Sequence, residues 1–303
     1  MKYPLLAKAL AIGAIIFLLT WELMRIDWLV SERQHYQQAA VGSVEASMAG
    51  EQVLLGPLLV RHCTEVWDVL VKDDKTTTTK TESRRDVLVQ VPAQLDVEGD
   101  ARSQALKRGL FKVNTYGAKL TLNASWNSLA ALQPRQLQKD SRIQCGPVHA
   151  VMAVKDTRGI RQVTVRVNDA PASVQGGTLN PQWGQGLHTV LADRAAASSE
   201  APLRLKLDME LAGTQRLALV PAAEQTTFAL QSDWPHPSFG GRFLPVSREV
   251  SASGFAAKWA ATAVSSTAAT GVRTGAGICG GSQEHAHTCL DPFDVAFFDP
   301  VNP

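Results

Sequence analysis

The densest chemistry in this chain lies near its C-terminus, where Cys279, His285, His287 and Cys289 follow one another as C-x5-H-x-H-x-C. Two thiolates and two imidazoles are ligand types that tetrahedral zinc accepts, but the spacing matches none of the common zinc modules. Cys279 and Cys289 close a short loop, "CGGSQEHAHTC", and in an oxidising compartment the pair reads as a disulfide ahead of a metal site. Zinc and the absence of any specific bond stay open as the other readings. The remaining cysteines, Cys63 and Cys145, have no local partner and can bridge only if the fold brings them together. No metal ligand set and no cofactor is assigned.

A second candidate is the stretch "WPHPSFGGRFLP", Trp234 to Pro245. Pro235 and Pro237 fix two φ angles around His236, and Gly240 and Gly241 permit a tight reversal, so the run reads as a rigid corner. That accounts for the backbone and leaves the histidine without an assigned task. Trp183, Trp234 and His236 together form a candidate binding surface, an aromatic cleft for a glycan or apolar ligand, against the plainer reading of tryptophans as core. No serine has lysine three residues on, and there is no G-x-S-x-G elbow, no H-E-x-x-H helix and no phosphate-binding G-x-x-x-x-G-K-[ST] loop. "GQG", Gly184 to Gly186, reads as a turn, and Asp73 with Asp74 as solvated carboxylates that nothing perturbs. No catalytic residue is assigned.

The elements that must position these residues begin with "LLAKALAIGAIIFLLTWELM", Leu5 to Met24, an apolar run of the length that crosses hydrocarbon as a helix. Lys8 and Glu22 lie near its ends, Trp21 and Trp28 suit the interface, and the bulky, charged residues that follow offer no signal-peptidase site. Lys2 and Lys8 place the N-terminus in the cytoplasm by the positive-inside rule. The organisation expected is a membrane anchor over 1–26, a juxtamembrane helix over 27–50 and a β-rich periplasmic domain over 51–303. The juxtamembrane stripe of Ile26, Leu29, Val30, Tyr36, Ala40 and Val44 must be covered by the domain, an envelope protein or a second copy. Residues 5–24 meet the bilayer.

Beyond Gly50 the period changes to two. "RRDVLVQVPAQLDVEG", "GAKLTLNASW", "RQVTVRVND" and "LRLKLDMELAG" alternate as half-buried strands do, and no βαβα pattern appears, which predicts an antiparallel β-sandwich-like domain. Lys72 to Ser83 reads as the polar tip of a hairpin, and Ala260 to Ala276 as a flexible small-residue connection. The 30 basic and 28 acidic residues are spread evenly, with no dense basic block, which argues against nucleic acid as a partner.

The run "WPHPSFGGRFLPVSREVSASGFAAKW", Trp234 to Trp259, resembles the signature of the CreD family of bacterial inner-membrane proteins. "WLVSERQHY", "LLGPLLV", "RGLFKVNTYGAKLTL", "DTRGI" and "GQGLHTVL" are similar to further family segments in the same order. The resemblance runs over roughly residues 20 to 303. It implies an inner-membrane protein with one N-terminal membrane helix before a periplasmic β-rich domain, linked to colicin tolerance and to envelope or β-lactam stress, with no established enzymatic activity. "RHCTEV" departs from the family strand, with His62 and Cys63 where a proline-aromatic pair is expected. The closing "FDVAFFDPVNP" resembles the family segment that precedes a C-terminal bundle of membrane helices, so the resemblance implies a chain lacking that bundle, as a fragment or a natural short form.

Overall fold

The computed structural model describes residues 4–73, 76–109, 111–191, 202–274 and 290–297. Cys279, His285, His287, Cys289 and Asp74 lie outside them. The chain divides into two compact units, Met1–Ser47 with Lys107–Val113, and Met48–Leu106 with Asn114–Pro303.

In the first unit, helix α1 (Pro4–Ser47) runs unbroken past the expected anchor boundary. Phe17, Leu18, Leu23 and Leu29 are each 60–63% exposed, the reverse of what a helix buried in a soluble core shows. Among the described residues no helix is long and apolar enough to cross a membrane. The apolar run read from the sequence starts at Leu5, and the side chains of residues 4–7 and 9–11 are not among those described.

The second unit is built on two eight-stranded sheets. The first orders its strands β13 (Ser238–Gly240), β16 (Phe293–Ala296), β11 (Arg216–Val220), β1 (Gln52–Asp73), β5 (Arg142–Val154), β9 (Gly186–Leu191) and β8 (Gln175–Gly176), with β2 (Thr76–Gln90) paired to β1. The second orders β14 (Ser247–Ser251), β15 (Gly254–Thr262), β12 (Gln225–Ser232), β3 (Gln94–Arg108), β4 (Phe111–Trp126), β10 (Leu203–Thr214), β6 (Ile160–Val167) and β7 (Ala170–Ala172). Most neighbours are antiparallel, but β1–β11 and β3–β12 are parallel, so both sheets are mixed.

Strand β10 shows why the sheets stack. Leu203, Leu205, Leu207, Met209 and Leu211 are buried, while Arg204, Lys206, Asp208 and Glu210 alternate with them on the far side. Leu54, Leu59, Val148 and Met152 of the first sheet meet Leu95, Leu120, Leu207 and Trp259 of the second in one core. Each fully buried leucine contributes about 1.5–3 kcal/mol of transfer free energy. Strand β1 behaves differently, because "VLLGPLLV" is buried on both faces: Val53, Leu55, Leu58 and Val60 join a second cluster on the back of the first sheet. A strand covered on both sides reads as a continuous apolar run rather than an alternating one.

That back layer corrects the reading of Ala260 to Ala276 as a flexible connection. Residues Ala268–Thr274 form helix α2, whose Ala268, Ala269 and Val272 are buried on the second cluster beside Leu290. Alanine favours helix, and small side chains let α2 lie close to the sheet, but neither property produces an amphipathic pattern readable in so short a run. The hairpin reading is also adjusted: β1 runs to Asp73 and β2 begins at Thr76, paired with it, so the threonines of Thr76–Ser83 are strand rather than tip. β-branched threonine suits a pleated edge.

The "WPHPSFGGRFLP" run is the corner that carries the chain from β12 in the second sheet to β13 in the first and back to β14. The Trp234 indole Nε1 donates to the His236 carbonyl at 2.7 Å, Phe239 packs edge-on against Phe255 and Trp259, and Phe243 against Phe293. Gly241 has φ 78°, and a Cβ there would press on the Pro292 carbonyl.

Candidate functional site

The best-organised polar constellation sits where the β1–β2 hairpin leaves the first sheet. Cys63 of β1 faces Cys145 of β5 in the ladder register and the two are joined as a disulfide, with Cα atoms 4.1 Å apart. Two residues on, the Glu65 side chain is 2% exposed. Its Oε1 accepts from the backbone N–H groups of Leu137 and Gln138, both at 2.9 Å, and from Ser141 Oγ at 2.6 Å, while Arg84 of β2 approaches Oε2 at 3.3 Å. The Ser141 hydroxyl, then the Gln138 and Leu137 amides and the Arg84 charge, hold the Glu65 carboxyl below the usual carboxylate range against the opposing effect of burial. A carboxylate so stabilised is a poor proton acceptor, so the Ser141–Glu65 contact clasps the loop before β5 to β1 rather than activating a nucleophile.

A second constellation fixes the start of the β domain. Asp156 caps a short 3-10 turn over Thr157–Gly159 and is held in its ionised form chiefly by the Arg158 side chain, which lies 2.6 Å away, and also by the Gly50 amide at 3.0 Å. Buried Gln52 donates to the Asp156 and Ala212 carbonyls at 3.0 and 3.1 Å. Gly159 is required beside it, since a Cβ would collide with the Ala212 carbonyl and the Gln52 amide. Strand β11 lies between the first and last described strands of the β domain, with Leu217 opposite Gln52 on one side and Arg216 opposite Ala296 on the other. Arg216 Nε donates to Asp294 at 2.7 Å, and the Tyr116 hydroxyl, buried and therefore raised well above its ordinary pKa, donates to the Arg216 carbonyl at 2.6 Å. Gln52 and Phe297 thus sit at the same end of the first sheet.

The structure does not bring the sequence-predicted site residues together. Trp183 is buried in the back cluster with Val60 and Ala218, Trp234 is buried in the inter-sheet core, and His236 is exposed at the corner with its ring edge-on to Trp234 at 6.0 Å. The four clefts described are lined by none of the three. The two roomiest, about 680 and 560 Å³, lie on the outer face of the second sheet and share Asp100 and Arg102, which pair at 2.9 Å. Their walls mix charged side chains with apolar surface, the larger cleft including Tyr116, Ala118 and Leu211 beside Lys119 and Glu210. The expected pair Cys279–Cys289 lies outside the described residues, and among those residues no three His, Cys, Asp or Glu side chains are gathered to hold a metal.

Sequence reasoning passed over one further group. His149 and His188 of neighbouring strands stand 5.5 Å apart, ring centre to ring centre. The His188 Nδ1 bonds the Gly177 carbonyl at 2.8 Å and must be the donor, since a carbonyl only accepts. Burial, then His188 and His62, depress the His149 pKa below its ordinary value. No spacing in the sequence signals this group, because its members come from three separate strands.

The fold and its site define a class: a β-rich protein with an N-terminal helix rich in exposed apolar side chains, and a disulfide and a carboxylate clasp bracing its sheet. Residues 4–303 match the family described as Inner membrane protein CreD, and the chain belongs to that family of membrane-associated, envelope-related proteins. It is 33% identical over 262 residues to Inner membrane protein CreD of Escherichia coli (strain K12), an alignment covering 86% of this chain and 56% of that protein, so the chain spans about half the length of this curated relative. Among solved structures, an M1 zinc metallopeptidase from Deinococcus radiodurans is similar over 56% of this chain and 38% of its own, at 9% identity and a TM-score of 0.29. A two-domain M1 zinc metallopeptidase bound to L-arginine reaches 0.22 at 11% identity over the same shares. Likeness at that level carries no argument about this chain.

Proposed function

We propose that this chain is a non-enzymatic protein anchored in the inner membrane through residues 5–24, with its N-terminus cytoplasmic and its β domain periplasmic, and that it contributes to envelope integrity under envelope or β-lactam stress. The Cys63–Cys145 disulfide carries the location: both thiols are paired between adjacent strands, and such bonds persist in oxidising compartments and are rare in the cytosol. Lys2 and Lys8 ahead of the apolar run support the same orientation. The exposed leucines and phenylalanine of α1 are costly in water and favoured in hydrocarbon, which supports the anchor. Membership in a family of inner-membrane proteins supports the role, and the bracing of the β domain by a disulfide and clasps suits a domain that acts through its surfaces. The two clefts that share the charged Asp100 and Arg102 favour a second reading, a periplasmic domain that binds a glycan on the outer face of the second sheet, where charged groups and apolar wall area lie side by side.

Thiol trapping in intact cells tests the location. Acid-quenched cells are alkylated before and after reduction, and Cys63 and Cys145 should label only after reduction; labelling beforehand overturns the periplasmic assignment. Deleting the gene should sharpen sensitivity to β-lactams or envelope stress, and unchanged sensitivity to both overturns the role.

A further inference from the structure

Pairing of β1 with β5 ends at Val66 and Arg142, yet β1 and β2 continue together to Asp73 and Thr76. The hairpin beyond Val66 is therefore a two-stranded arm, and an isolated ribbon of that kind is marginal in water. Leu70 and Val71 are 69% and 43% exposed on it. Among the described residues β2 pairs with β1 alone, so its outer edge presents unpaired backbone groups along a run of threonines without proline or glycine. Natural proteins protect such edges or use them. The base of the arm is held firmly by the Cys63–Cys145 bond and the Glu65 clasp.

We infer that the β2 edge pairs with the β2 edge of a second copy of this chain, antiparallel about a two-fold axis through Thr81. Directly opposed residues in an antiparallel pair share a face, and a two-fold perpendicular to the sheet preserves faces, so only registers whose opposed residue numbers sum to an even value are open. Centring on Lys80 or on Glu82 would oppose like charges. Centring on Ser83 would oppose Glu82 to Arg84 and Lys80 to Asp86, but the Arg84 guanidinium is tied to the buried Glu65 at 3.3 Å and to Asp86 at 2.7 Å, whereas the Lys80–Glu82 pair within one chain is exposed and can exchange partners at little cost. Centring on Thr81 opposes Lys80 to Glu82 of the second copy twice over, Thr79 to Ser83, and Thr81 to itself. Lys80 and Glu82 sit on one face, 3.3 Å apart within one chain, and Thr81 on the other, where its hydroxyl donates to Asp68 at 2.7 Å. Opposite charges and paired threonines across such a ladder are both favourable. The interface joins two arms into a four-stranded sheet, and it goes beyond the proposed location without depending on it.

Disulfide trapping on the full chain in detergent tests this. Thr81→Cys should give a covalent dimer under mild oxidation that the unsubstituted chain does not give, while Thr77→Cys should not. In the Thr81→Cys background, Lys80→Glu or Glu82→Lys alone should lower dimer yield several-fold by opposing like charges, and the two together should restore it. Thr77, Lys80, Thr81 and Ser83 are exposed and Glu82 is half-buried, and unchanged melting temperatures will show that the variants are folded. No covalent dimer at Thr81→Cys, dimer at Ser83→Cys instead, or a double reversal that fails to restore the yield each overturns the inference.

Discussion

Glu65 concentrates three hydrogen bonds on one carboxylate oxygen, and its ionised form is favoured first by Ser141 and then by the Gln138 and Leu137 amides and by Arg84. With the folded pKa below the ordinary 4.5, the unfolded chain binds more protons at acid pH. The stability this group contributes is therefore complete above the unfolded value and is lost as pH falls through the folded one. Glu65→Gln should lower the urea midpoint near neutral pH, and the gap from the unsubstituted chain should close progressively as pH falls below about 4.5. Urea denaturation of the purified chain across that range measures it; a constant gap would mean that the charge plays no part. Nothing in "HCTEV" announces this role, because the donors lie more than seventy residues away in sequence and the spacing of a clasp is set by the fold. His236 illustrates the opposite case: the prolines and glycines around it were readable as a corner, and a corner is what the run forms.

Elements divide by whether their burial leaves a period in the sequence. β10 alternates because one face meets the core and the other meets water, and its strand character was readable at once. Helix α2 was not, since seven residues of alanine, threonine, glycine, valine and arginine carry no stripe. Its place in the back layer makes a sharp prediction. Val272→Asp would bury an unpaired carboxylate in the cluster that includes Leu55 and Val220 and should cost roughly 3 kcal/mol, whereas Arg273→Asp on the exposed side should stay within about 0.5 kcal/mol. Thermal unfolding of both variants checks this, and equal shifts would deny α2 its packing role. The threonine-rich arm shows a further limit, since polar residues suit a solvated tip and an edge strand alike until pairing partners are known.

At the scale of the whole molecule, the disulfide spans 82 residues of sequence and closes a loop that includes β2, β3 and β4. In the chain-entropy account a closure of that length restricts the unfolded state by about 4–5 kcal/mol, and observed losses run at about 2–5 kcal/mol. Replacing Cys63 and Cys145 together by serine should lower stability by that amount, and reducing the unsubstituted chain should reproduce the loss; denaturant unfolding with and without reductant compares them. Matching midpoints in both states would show that the bond is not formed. By itself the sequence determined the β class, the long N-terminal helix, the corner at Trp234 and membership in an inner-membrane family, because each rests on local periodicity, local backbone restriction or contiguous segments. Only the tertiary structure decided the Cys63–Cys145 pairing, the Glu65 and Asp156 clasps, the covering of β1 on its back face and the separate burial of Trp183 and Trp234. These depend on which strands become neighbours and in what register, and register is a property of the assembled sheets that no single segment encodes.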